Sequence, residues 1–201
     1  MVINSSLCNQ VFNESIQHYH FTDHIDQPMP ELYEAGDVRL LLFKKNWIDT
    51  VQWHLEDEIR DPLLNPVVAL TIKRRIDKSN QDRTDIVELL DYVFYDALKN
   101  VSSLEGATIN TETPAWAIDR LSILALKIYH MHQAANRENA SQALRDQCST
   151  KLSVLLKQQS DLSNSIDELL TDLEAGRKIL VLYKQMKMYN DPNLNPVLYK
   201  S

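Results

Sequence analysis

The 201-residue chain predicts an all-α protein, an antiparallel helical bundle of five or six helices with one long helix. Three observations carry that expectation. Glycine occurs 3 times in 201 residues, and sheets and tight hairpins consume glycine at their turns. Apolar residues recur at three- and four-residue steps over long stretches, the period of a helix with one buried face. No stretch alternates strictly enough to compete as a strand. Hydrophobic residues at 44% and charged ones at 24% suit a globular chain long enough to build a core without disulfides or a structural metal.

The first helix is expected over about Ser6–Tyr19, where Cys8, Val11, Phe12, Ser15 and Tyr19 share one side. A proline-containing loop, IDQPMPELYEAGD, follows it. The second helix runs from near Asp37 to Asp61, because the residue before Pro62 resists the α region. Its inward stripe is Leu40, Phe43, Trp47, Val51 and Leu55. The third spans about Pro66–Asn100 on Ile72, Ile76, Ile86, Val87, Leu90, Val93, Phe94 and Ala97. SSLEGATINTET then reads as a loop that ends with Thr113 as N-cap and Pro114 at the first helical position. The helix that begins there is apolar on almost every face, which places it at the centre of the bundle. After a weak break at NRENAS comes the long helix, about Ser141–Ala175, with Leu144, Cys148, Leu152, Leu155, Leu162, Ile166, Leu169 and Leu173 on one seam and Gly176 as its cap. A final apolar segment, KILVLYKQMKMY, stops at Asp191-Pro192. DPNLNP there echoes DPLLNP at Asp61–Pro66, a stiff helix exit used twice. One domain over 1–201 is expected: a first helix and loop (1–36), a bundle core (37–188) and an extended tail (189–201).

Composition removes several classes of function. A net charge of −7 opposes a broad nucleic-acid surface, which needs clustered Lys and Arg. MVINSSLCNQ lacks the basic and apolar regions of a secretory signal, and ILALKIYHM is broken by Lys127 and His130 before it could span a membrane. The expectation is a soluble cytoplasmic protein without nucleic-acid or membrane partners, with homo-oligomerisation left open. Cys8 and Cys148 sit at helical spacing among apolar residues and read as small buried hydrophobes; no neighbouring His or basic cluster activates Cys148. GxGxxG, P-loop and GxSxG strings are absent. His18, His20 and His24 have the residue type for zinc but no cysteine pair beside them, and they read as solvated loop histidines. KKNW at Lys44 and KRR at Lys73–Arg75 read as solvated faces. The mildly basic YKQMKMYND stretch, with Lys184, Lys187 and Tyr189, reads as a packed terminus.

Charges fall where apolar residues are expected on three helices. The second carries Glu58 near the centre of its inward stripe, with His54 one turn earlier. The third carries Arg83 at the centre of its stripe, flanked by Ser79 and Asn80. The central helix carries Asp119, Arg120, Lys127 and His130 within a sector roughly a quarter-turn wide. Arginine does not shed its proton, so a buried Arg83 demands a carboxylate, with Glu58, Asp91 and Asp119 as the candidates. Cations that outnumber acids in such a layer suit an anionic or phosphorylated ligand. Arg83, Arg120, Lys127 and His130 would hold that ligand, Asn80 would orient it, and His54 or Asp119 has the chemistry of a general base. Two other readings stand beside this one. Buried polar layers also fix helix pairing with no ligand at all, which would make the chain a scaffold that offers its long helix to a partner. The acidic residues Asp57, Glu58, Glu88 and Asp91 are distributed somewhat as in the all-α nucleotide pyrophosphohydrolases, where carboxylates hold magnesium, although Glu88 points off the inward stripe. The sequence names no reaction and calls for no cofactor except that magnesium ion.

Four strings in order, NWIDTVQWHLEDEIRDP, IKRRIDKSNQDRTD, INTETPAWAIDRLSILALKIYHM and YKQMKMYNDPNLNPVLY, resemble a bacterial family catalogued as domain of unknown function 4254. The resemblance covers nearly the whole chain. It implies no particular activity, cofactor or catalytic residue. The strings contain His54, Asp57, Arg60, Asp61, Asp77, Asn80, Arg83, Asp85, Asp119, Arg120 and Lys127, many of them the interior polar residues reached above. Glu58 departs from the family's pattern, which weakens a mechanism that rests on it.

Overall fold

The computed structural model describes residues 3–186 together with 193, 194 and 197. Among them lie five helices: α1 Ser5–Thr22, α2 Val38–Glu58, α3 Pro66–Leu98, α4 Pro114–Ala135 and α5 Gln142–Glu174. Each begins on a side-chain cap. Asn4, Asp37, Asn65, Thr113 and Ser141 accept a hydrogen bond from the backbone N–H two or three residues on, and Pro66 and Pro114 open their helices.

The expected central helix is central: α4 packs against all four others. Its interior face of Ala115, Ala117, Ile118, Leu121, Ala125 and Leu126 meets Phe12 of α1, Phe43 and Trp47 of α2, and Leu90 and Phe94 of α3 in one core. α2 and α3 form an antiparallel hairpin whose register is marked by Gln52 Nε2, which donates to Asn80 Oδ1 at 3.0 Å. Leu55, Ile72 and Ile76 close a smaller cluster at the hairpin end.

Besides Leu40 and Val51 of the α2 stripe, which are half-buried, two further expected stripes are only partly buried. On α3, Phe94 is sealed while Val93 and Ala97 face solvent. On α5, Leu144 is exposed and Leu152, Leu155 and Leu162 are half-buried; burial is complete at Ile166, Leu169, Leu170 and Leu173. Length explains the second case. Thirty-three residues make a rod of about 50 Å, and the 22 residues of α4 cover about 33 Å of it.

Cys8 and Cys148 are free and buried, and burial pushes the Cys8 thiol up to about 12. A two-residue strand pair was not foreshadowed by any alternation: β1 (Thr108–Ile109) lies parallel to β2 (Lys178–Ile179). It forms because Gly176 ends α5 with φ +70° and turns the chain back over the 101–107 loop, where Leu104 N–H donates to the Gly176 carbonyl at 2.9 Å. Beyond β2 no sixth helix occurs among the described residues. Lys187, Tyr189, most of the DPNLNP motif and most of the expected 189–201 tail lie outside them. No helix of the described residues is long and apolar enough to cross a membrane.

Candidate functional site

Ionic side chains from three helices do meet inside the bundle. α2 contributes Lys45, Asn46 and Asp49, on the same face as Leu42 at i, i+3, i+4 and i+7 spacing. α3 contributes Arg83, and α4 contributes Asp119 and Ser122. The Lys45 ammonium is 0% exposed and lies between two carboxylates, in contact with Asp49 and 3.0 Å from Asp119 Oδ1. Arg83 grips Asp119 with two parallel bonds, Nε to Oδ1 at 2.9 Å and Nη2 to Oδ2 at 3.1 Å. The Ser122 hydroxyl donates to Asp49 Oδ2 at 2.6 Å, and Asn46 Nδ2 donates to Ser122 Oγ at 3.0 Å. Two cations and two carboxylates leave the group neutral. Burial pushes the Asp49 carboxyl above its ordinary range, against the pull of Lys45 and Ser122.

Arg83 is the group's route to solvent, with 26% of its side chain exposed. It stands in the wall of a cleft of about 340 Å³ together with Asp49, Gln52, Trp53, Glu56 and Arg60 of α2 and Ile123 and Leu126 of α4. The two bonds to Asp119 use Nε and Nη2, so Nη1 is the guanidinium nitrogen they leave unengaged. In the same wall, Gln52 Oε1 is a buried acceptor without a hydrogen-bond partner among the described residues. Arg60 sits at the mouth, 3.0 Å from Asp57 and 3.6 Å from Glu56.

The remaining predicted residues distribute unevenly. Asn80 is one step removed from the cleft, as the acceptor that fixes Gln52. Arg120 points out and pairs with Glu112, and Lys127 is exposed. Helix geometry explains this. Relative to Asp119, His130 is rotated by about 20°, Lys127 by about 80° and Arg120 by about 100°. The predicted sector therefore straddles the border between the core and solvent. Glu58 is likewise exposed rather than inward, because it is the last residue of α2 and lies past the end of the core. The four candidate metal carboxylates do not converge. From the Gln52–Asn80 contact, Asp57 lies five residues toward the hairpin loop and Glu88 eight residues away from it, about 20 Å apart along the axis. Asp91 is buried beside Thr113, and Glu88 accepts from the Gln185 N–H.

His54 and His130 belong to a second cluster, on the α1 side of α2 and α4. Together with His20 they bring one donor atom each to within 4.8 Å of one another. His20 Nε2 and His54 Nε2 are 3.3 Å apart, and Asp23 Oδ1 is 3.6 Å from His54 Nε2. Aromatic rings wall the cluster: Tyr19 stacks on His54, Trp53 stacks on His130 at 4.8 Å, and Tyr129 lies 4.2 Å from His20. Burial lowers the affinity of His20 for a proton and brings His130 down to about 4. These are the described residues that could hold a metal ion.

Sequence reasoning missed Lys45 and His20, for different reasons. Lys45 adjoins the exposed Lys44 in a string that reads as a solvated face, although Leu42, Lys45, Asn46 and Asp49 spell a polar inward face. His20 falls in a loop if the first helix ends at Tyr19. It continues to Thr22, where Asp23 caps it with φ 53°, and that extra turn carries His20 inward.

A family model described as Protein of unknown function (DUF4254) matches residues 39–181, and the chain belongs to that family. No curated protein and no solved structure matches the chain. The matched span holds the whole Lys45–Asp49–Arg83–Asp119 group and the cleft; it holds His54 and His130 but not His20, which α1 supplies from outside it.

Proposed function

We propose that this member of the DUF4254 family binds a small anionic, phosphorylated metabolite in the cleft between α2, α3 and α4. One observation carries the reading: the Arg83 guanidinium, held rigid by two bonds to Asp119, stands in the cleft wall with Nη1 unengaged by that carboxylate. A preoriented guanidinium loses little freedom on meeting a phosphate or carboxylate oxygen. Arg60 adds a second cation at the mouth, Trp53 offers a flat apolar wall, and Gln52 Oε1 accepts from a hydroxyl or N–H of the ligand. A volume of about 340 Å³ suits a ligand of metabolite size. Asp119 is an anchor in this picture, since Lys45 and Arg83 engage both of its oxygens. We place the protein in a bacterial cytoplasm, where two free buried cysteines are at home.

A purely structural role for the same group has its own support in Lys45, which is sealed from solvent and held between two carboxylates. Thermal shift with inorganic pyrophosphate, AMP and glucose 6-phosphate separates the two. Binding at about 100 times Kd stabilises by about 2.7 kcal/mol, a rise in Tm of roughly 5–11 °C for a chain of this size. Arg60→Ala and Trp53→Leu, both outside the sealed group, should abolish the rise. If none of the three compounds raises Tm, the ligand reading fails and the helix-pairing reading stands.

A further inference from the structure

We infer that His20, His54 and His130 form a binding site for a divalent transition-metal ion of the zinc class. This goes beyond the cleft reading and does not depend on it.

The geometry is the argument. Zinc binds imidazole nitrogen at about 2.0–2.1 Å, so two nitrogens on one tetrahedral ion stand about 3.3 Å apart. His20 Nε2 and His54 Nε2 already hold that spacing, at 3.3 Å. The third ring places its donor within 4.8 Å of both, a difference of up to about 1.5 Å that rotation about its two side-chain torsions covers. The rings come from three separate helices, α1, α2 and α4, so the donors converge on one point from different directions.

Orientation favours a metal as well. His20 Nδ1 lies 2.7 Å from the Ile16 carbonyl, which can only accept; the proton therefore sits on Nδ1 and the lone pair on Nε2 faces the cluster. A backbone carbonyl behind a ligating histidine is the usual way such a ring is fixed. His130 Nε2 is buried with no hydrogen-bond partner among the described residues, an expense that a simple hydrogen-bonded cluster would not relieve and a bound ion would. The Asp23 carboxylate, 3.6 Å from His54 Nε2, supplies negative charge at the rim, and a coordination position remains for it or for water. Imidazole donors suit zinc, cobalt, nickel and copper and do not suit magnesium.

The chain contains six histidines, and the other three, His18, His24 and His132, are exposed, which provides internal controls. The full chain, stripped with a chelator, is titrated with Co²⁺ by visible absorption and with Zn²⁺ by calorimetry. One equivalent per chain, the absorption of a four-coordinate cobalt site, its bleaching by Zn²⁺ and a rise in Tm are expected. His54→Ala, and separately the size-preserving His20→Gln and His130→Gln, should each weaken uptake by more than about 100-fold. His24→Ala and His132→Ala should leave it unchanged. Failure of the intact chain to take up either ion overturns the inference, whatever the variants do. So does uptake that survives in the folded His20→Gln or His130→Gln protein, or that disappears with His24 or His132.

Discussion

Replacing Lys45 with methionine tests the buried ionic group most directly. The change keeps the stem's volume and removes only the ammonium. Asp119 keeps both bonds from Arg83, but among the described residues Asp49 is left with the Ser122 hydroxyl as its hydrogen-bond partner. A carboxylate at that depth cannot stay ionised without its cation, so the folded variant must hold Asp49 protonated. Taking a proton at pH 7 onto a group that ordinarily titrates near 3.9 costs about 1.4 kcal/mol for each intervening pH unit, so the variant loses at most about 4 kcal/mol relative to the parent, whose own Asp49 carboxyl is already raised by burial. The same arithmetic at pH 5 gives about 1.5 kcal/mol. Here the folded pKa is raised above the unfolded one, so the cost is absent at low pH and grows as pH rises. Urea denaturation at the two pH values should show the gap between variant and parent shrinking by more than half on acidification. By thermal melts the loss at pH 7 should be roughly 8–16 °C. Lys45→Met with Asp49→Asn should recover most of it, because no charge is then stranded. A loss below about 1 kcal/mol at pH 7, or one independent of pH, would refute the reasoning.

Asp91 and Gly176 offer two further checks. Burial beside Thr113 raises the Asp91 carboxyl to about 6, above its ordinary value, so the protonated form suits the fold and stability declines as pH climbs from about 4 to about 6. Asp91→Asn cannot titrate; its Tm should gain on the parent's across that window and hold steady above it, and parallel pH profiles would contradict the assignment. A Cβ at Gly176 would lie 2.4 Å from the Ser102 carbonyl oxygen at a φ of +70°. Gly176→Ala should therefore cost more than about 1 kcal/mol, measured by urea denaturation at neutral pH. A neutral result would mean that the 101–107 loop is free to move aside.

Legibility followed the range of the physics involved. Helix starts are local events between a side chain and the next few N–H groups, and Asp37, Thr113–Pro114 and Ser141 were readable as such. The need of Arg83 for a carboxylate was also readable, because a buried guanidinium cannot neutralise itself; which carboxylate answered was not, and of Glu58, Asp91 and Asp119 only the last lies opposite. Lys127 and Arg120 show the limit of an angular argument. A helical wheel gives the direction of each side chain relative to its neighbours, while the width of the buried sector depends on how many helices pack around it.

From the order of residues alone came an all-α bundle of five or six helices, the starts near Asp37, Pro114 and Ser141, the central position of the Pro114–Ala135 helix and the expectation that charge lay inside. All of these depend on periodicity and on the cost of burying unpaired polar groups, which any window of sequence carries. Folding in three dimensions decided the rest: that Lys45 sits between Asp49 and Asp119, that Arg83 opens onto a cleft, and that His20, His54 and His130 converge. Apart from the i, i+4 neighbours Lys45 and Asp49, those residues are tens of positions apart, and the distance between them is set by helix packing and by where α1 ends. One extra turn of that helix turned a solvated histidine into a candidate ligand.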